Sequence, residues 1–169
     1  MYSTARLYSL SYQNTRTYLF ALLFVIGNIL FPQLCHLVNL GGVIMLPIFF
    51  FTLIGAYKYG LWVGLITAIL SPLVNYGLFG MPPAAILPEM IFKSAIIALS
   101  ASYIAKRTQR VSFWGILATI LCYQIAGSGF AVLTGIEPGF ILHTLKLGIP
   151  GMAFQLIGGY LLLKTIRKI

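Results

Sequence analysis

Charge is scarce in this chain. Only 8% of its 169 residues are Asp, Glu, Lys or Arg, and two of those are acidic, Glu89 and Glu137. A soluble domain carries roughly 25% charged and about 45–50% apolar residues, whereas here 60% are hydrophobic and mean hydropathy is +0.97. These figures exclude a soluble protein and describe an integral membrane protein, all-α, with room for roughly five to seven spans of about 20 residues. Cysteine is scarce too. Cys35 and Cys122 both sit in apolar helical runs, where they read as small buried hydrophobes and not as a disulfide or metal pair. His36 and His143 come without an HxxxH, HExxH or Cys/His cluster, so no metal ligand set, and no cofactor, is expected. There is no GxxxxGK[ST] loop to cradle phosphates, which excludes ATP hydrolysis by this chain. Residues 1–17 lack an apolar core, so the first span must itself act as the insertion signal.

What is present is a series of apolar runs punctuated by Gly, Pro and basic residues, and it predicts one transmembrane domain over 1–169. After a cytoplasmic arm (1–17), six spans are expected at 18–37, 44–57, 61–79, 87–105, 113–133 and 141–163, followed by a basic tail (164–169). Pro47 breaks the second span early, which makes part of it a half-helix or loop at membrane depth, tolerated only where protein buries it. Ser71-Pro72 predicts a kink in the third.

The net charge of +9 would suggest an acidic partner in a soluble protein; here its placement matters more. With the amino terminus inside, Arg6, Arg16, Lys58, Lys106, Arg107, Arg110, Lys164, Arg167 and Lys168 all fall in cytoplasmic segments, and the outer turns hold no basic residue. This is the positive-inside pattern, with both termini cytoplasmic, and no nucleic-acid partner is needed to account for it. Tyr18, Tyr57, Tyr59, Trp62, Trp114 and Tyr160 fall near span ends and read as interfacial anchors.

The remaining polar residues gather in the outer halves of the spans: Gln33, His36, Asn39, Asn75, Glu89, Lys93, Gln124, Glu137, His143 and Lys146. The inner halves are nearly devoid of them. That asymmetry describes a cup open to the outside and sealed toward the cytoplasm, not a continuous pore. Its focus is Leu70–Lys93, where Asn75, the Gly80-Met81-Pro82-Pro83 turn, Pro88, Glu89 and Lys93 come together between two apolar helices. Glu89 and Lys93 are spaced i, i+4 with the acid first, the favourable order for a helical ion pair, so they either neutralise each other or meet a ligand. Ionisable groups at membrane depth are costly and mark functional sites. The substrate-binding candidates are Asn75, Glu89, Lys93, Gln33, His36, Asn39, Gln124, His143 and Lys146, with Gly80, Met81, Pro82 and Pro83 as the turn at the site. Two lysines beside one or two glutamates favour a carboxylate-bearing ligand. Lone amides such as Gln33 and Gln124 also serve as helix-to-helix hydrogen-bond glue, and the glycines of the spans as close-packing surfaces.

The run LPIFFFTLIGAYKYGLWVGLITAILSPLVNYGLFGMPPAAILPEM resembles the substrate-binding S components of energy-coupling factor (ECF) transporters. The marks are Leu46-Pro47-Ile48, Gly55, Tyr59-Gly60, Gly64, Ser71-Pro72 and, most specific, Phe79-Gly80-Met81-Pro82-Pro83 followed by Pro88-Glu89, over about residues 39–107. The resemblance implies a six-helix, non-enzymatic subunit of a bacterial cytoplasmic membrane that captures a water-soluble vitamin or related micronutrient near the outer face. It also implies two kinds of partner, a transmembrane T component and a pair of ATP-binding subunits, with delivery by toppling of the S component in the lipid bilayer. Family members often carry Ala-xxx-Ala on the first helix for docking. Here the nearest frame is Ala21 to Val25, with Gly27 as a further small site, and these three are the coupling-face candidates. The competing readings are another small transporter or channel subunit, and an intramembrane hydrolase using Ser128 of Gly127-Ser128-Gly129 with His143. The latter has no third orienting residue.

Overall fold

In hydrocarbon every backbone N–H and C=O must find its partner within the protein, and a chain this apolar has helices as its local solution. The computed structural model describes residues 9–35 and 44–166 and contains, among them, seven α-helices and no strand. Five are long and apolar enough to cross a membrane: α1 (Thr15–Cys35), α3 (Leu61–Phe79), α4 (Leu87–Thr108), α5 (Phe113–Leu133) and α7 (Ile149–Ile166). The chain is therefore a multi-pass membrane protein. Two helices, α2 (Phe50–Tyr59) and α6 (Pro138–Leu147), have ten residues each. At 1.5 Å per residue each spans about 15 Å, half the hydrocarbon thickness.

Of the six expected spans the second is short and broken at Pro47, as its sequence suggested, and the sixth needs correction. The second is a 3-10 turn at Pro47–Phe49 leading into α2, and Thr52 through Lys58 are all buried. A helix too short to cross is shielded from lipid on every side by α1, α3, α4 and α7. The sixth is divided in two. Pro150 lacks an N–H and sits in the first turn of α7, where none is required, so the helix restarts there while α6 ends at Leu147.

Turn chemistry sets the up-and-down order. Gly60, at φ 97°, is the single residue between α2 and α3, and Gly80, at φ 65°, ends α3, its N–H donating to the Tyr76 carbonyl at 2.8 Å. Ser112 caps α5 by accepting from the Gly115 N–H at 3.2 Å. Close approach of the helices depends on small residues: a methyl group built on Gly64 would lie 2.5 Å from Ala56 Cβ and 3.1 Å from Ala98 Cβ.

One end of the bundle collects the basic residues. Arg16 opens α1, Lys58 closes α2, Lys106 and Arg107 close α4, Arg110 follows, and Lys164 lies in the last turn of α7. The Tyr57 hydroxyl ties this end together, donating to the Arg110 carbonyl at 2.9 Å and accepting from the Ser112 N–H at 3.1 Å. Tyr57 is thus a core residue, 1% exposed, and not an interfacial anchor, while Trp114 at 74% does face outward. Lys58 is buried as well, a placement its position at a span end did not suggest. From the N-terminal arm, Leu10 donates its N–H to the Tyr59 carbonyl at 3.0 Å and Tyr12 sets its ring edge against Trp62. Arg6, Arg167 and Lys168 lie outside the described residues.

The middle of the bundle is held by a buried polar network. Asn28 Nδ2 donates to Thr52 Oγ1 and Ser71 Oγ, both at 3.0 Å, and its Oδ1 accepts from the Phe51 N–H at 3.3 Å. One amide therefore bridges α1, α2 and α3.

Candidate functional site

At the end opposite the basic residues lies a cavity of about 660 Å³. Its walls come from the last turn of α1 (Pro32, Gln33), the strap Leu46–Phe49, the end of α3 with its turn (Asn75, Gly80–Pro83), the first turns of α4 (Ile86, Glu89, Met90, Lys93), the second half of α5 (Gln124, Ser128, Ala131) and α6. Most of the lining is apolar. Six of the nine expected substrate-binding residues, Gln33, Asn75, Glu89, Lys93, Gln124 and His143, share this volume, together with the whole Gly80-Met81-Pro82-Pro83 turn. Lys146 does not line it and is exposed; His36 and Asn39 lie outside the described residues.

The charged side chains among the described lining residues are Glu89 and Lys93, and they are paired at 2.5 Å across one helical turn. Each is less than one-fifth exposed. Lys93 is also pressed against α5: a methyl group on Gly127 would lie 2.6 Å from Lys93 Cγ, 2.9 Å from Cδ and closer still to Cε. The bare backbone of Gly127 is a slot for the lysine stem. This use of Gly127 was not visible in sequence, where it stood in a small-residue run.

Asn75 is held as firmly. Its Nδ2 donates to the backbone carbonyls of Asn28 at 3.0 Å and Ser71 at 2.9 Å, so both amide protons are committed, and Oδ1 has no donor among the described residues. The amide is at once helix glue and a cavity-lining acceptor. Gln124 Nε2 contacts Met152 Sδ at 3.1 Å, which leaves its carbonyl oxygen uncommitted.

The strap was anticipated only as a break at Pro47; its role as a wall was missed. Leu46 adopts φ 47°, a left-handed backbone that non-glycine residues rarely take, and nothing in the sequence signals it. Two contacts hold it there. Gln155 Nε2 donates to the Leu46 carbonyl at 3.2 Å while its Oε1 accepts from the Tyr123 hydroxyl at 3.0 Å, and a methyl group on Gly151 would lie 2.5 Å from the Ile44 carbonyl oxygen.

Compared with protein-family models, with curated proteins and with solved structures, the chain matches none. Among the described residues no three His, Cys, Asp or Glu side chains converge on a point that could hold a metal ion. Ser128 and His143 line the same cavity, and no hydrogen bond joins them.

The coupling-face candidates are placed differently from expectation. Ala21 and Val25 are 1% and 4% exposed, facing the bundle interior, and a methyl group on Gly27 would meet the Phe51 ring at 3.0 Å. The outward surface of α1 is instead large and aliphatic, with Leu19, Leu22, Leu23, Ile26, Leu30 and Leu34. Cys122 is exposed on α5, contrary to its reading as a buried hydrophobe, whereas Cys35 is buried.

Proposed function

We propose that this chain is the substrate-capturing S component of an ECF-type importer. It binds a water-soluble vitamin or related micronutrient at the outer face and relies on a T component and two ATP-hydrolysing subunits for uptake into a bacterial cell. One observation carries the reading: the Leu46-Pro47-Ile48 segment and, more than thirty residues later, the Gly80-Met81-Pro82-Pro83 turn with Glu89, which resemble S components, line a single cavity. At about 660 Å³ it lies within the roughly 300–1,000 Å³ range of small-molecule sites. The basic end faces the cytoplasm by the positive-inside rule, which turns the cavity outward.

Native mass spectrometry of the purified protein identifies the molecule that travels with it, and titration calorimetry then measures its affinity. Lys93→Met should weaken binding by about 2–5 kcal/mol, as for truncating one partner of a buried charge pair, while Lys106→Met, exposed at the basic end, leaves it unchanged. Parent-like binding by a folded Lys93→Met protein would place the substrate elsewhere. Sustained uphill uptake by the isolated chain in liposomes would rule out an S component.

A hydrolase is favoured by one feature, the shared cavity of Ser128 and His143. Labelling of Ser128 by a fluorophosphonate probe, abolished by His143→Ala, would carry that reading instead.

A further inference from the structure

The chemistry of the cavity, taken as the substrate site proposed above, restricts what can occupy it. We infer that it is built for a ligand of zero net charge that presents an acceptor and a donor side by side, a zwitterion or a neutral polar edge, and not for a simple anion or cation.

Three observations lead there. Glu89 and Lys93 are already paired at 2.5 Å, so the described lining residues carry no net charge apart from the titratable His143. A monoanion drawn to Lys93 would leave an uncompensated negative charge beside Glu89 in a largely apolar, membrane-depth cavity, and a monocation would do the opposite; both are penalised by desolvation. A ligand bearing both signs, or neither, keeps the site neutral.

Lys93 is also held close to its partner. Both side chains spring from the same face of α4, one turn apart, and the lysine stem is confined in the slot at Gly127, where even a methyl group would collide with it. Lys93 therefore meets a ligand with Glu89 still beside it.

The hydrogen-bond valences point the same way. Asn75 has both N–H groups engaged and offers only Oδ1, and Glu89 Oε2 has no donor among the described residues. Two acceptors line the same cavity as the lysine donor. A carboxylate alone satisfies the lysine and leaves both acceptors without a donor. A ligand that carries N–H or O–H donors as well as an acceptor can satisfy all three.

The test is a panel of micronutrients grouped by charge at pH 7 and assayed by thermal shift and calorimetry on the purified full chain. Pyridoxine, nicotinamide, riboflavin and carnitine are neutral or zwitterionic, biotin, pantothenate and nicotinate are monoanions, and thiamine is a cation. The tightest binder should come from the first group, at least tenfold ahead of any singly charged compound. Glu89→Gln removes the acid but keeps the shape, and should move the preference at least tenfold toward the monoanions. If a monoanion or the cation binds tightest to the parent and Lys93→Met abolishes that binding, the neutrality inference fails and the site stands. If binding is indifferent to Lys93→Met, or no member binds, the site reading itself fails. The parent panel decides the matter even where Glu89→Gln does not fold.

Discussion

Gly127 and Ser94 show how much can rest on one atom. Gly127→Ala places a methyl group against the stem of Lys93, so the lysine must shift from its slot. The variant should lose about 1–3 kcal/mol of stability from overpacking, read from its thermal unfolding in detergent, and with it the binding that depends on Lys93; Gly129→Ala, which meets nothing within 4 Å, is the matched control. Ser94 is the opposite case. Its Oγ is buried without a hydrogen-bond partner among the described residues, so Ser94→Ala removes a desolvated hydroxyl and improves helix propensity. It should leave stability unchanged or raise it by up to about 1 kcal/mol, and a clear loss of stability would show that the hydroxyl has a partner the packing does not reveal. The i, i+4 spacing of Glu89 and Lys93 was legible in sequence because it is local to one helix. The slot at Gly127 was not, because it joins residue 93 of one helix to residue 127 of the next.

Among the elements, α2 and the strap before it depart furthest from a simple span. α2 is tolerated at ten residues because its neighbours bury it, and Asn28 locks it to α1 and α3. Asn28→Ala removes the partner of the Phe51 N–H and of the Ser71 and Thr52 hydroxyls, the last of which keeps its bond to the Ile48 carbonyl, and should cost about 2 kcal/mol, measured as lowered resistance to unfolding in detergent. Asn28 stands out in sequence as an amide within an apolar run, which hydrocarbon penalises unless it faces protein. Its partners did not, since Thr52 and Ser71 look like ordinary small residues of their own spans. The strap rests on Gly151, where a Cβ would strike the backbone of Ile44 and Met45. Gly151→Val should displace it and so reshape the cavity wall at Leu46–Phe49, seen as loss of ligand binding while the protein still inserts and folds; unaltered binding would mean that the strap does not shape the site.

For the whole molecule, the separation of basic end and cavity end makes topology the direct test. Single cysteines at positions 107 and 137, in a background lacking Cys35 and Cys122, should react differently with a membrane-impermeant thiol reagent in intact cells: position 137 labels and position 107 does not. The reverse pattern would turn the cavity toward the cytoplasm and remove the capture reading. On the same scale, Ala21, Val25 and Gly27 are engaged inside the bundle. A docking contact on α1 would therefore use the outward ridge that includes Leu22, Ile26 and Leu30.

Composition and charge placement determined the class, the helical fold and the crowding of polar groups at one end, because hydropathy and the positive-inside bias act residue by residue and need no knowledge of neighbours. They also marked most of the polar lining, since a charged or amide side chain at membrane depth is costly wherever the chain carries it. Tertiary structure alone decided that the sixth run divides at Gly148, that Leu46 takes a left-handed backbone under the grip of Gln155, that Ala21 and Val25 face inward, and that Lys93 lies against Gly127. Each of these depends on which helices meet and how closely. Every helix here is apolar on most of its faces, so periodicity cannot tell a lipid-facing side from a protein-facing one, and only packing makes that choice.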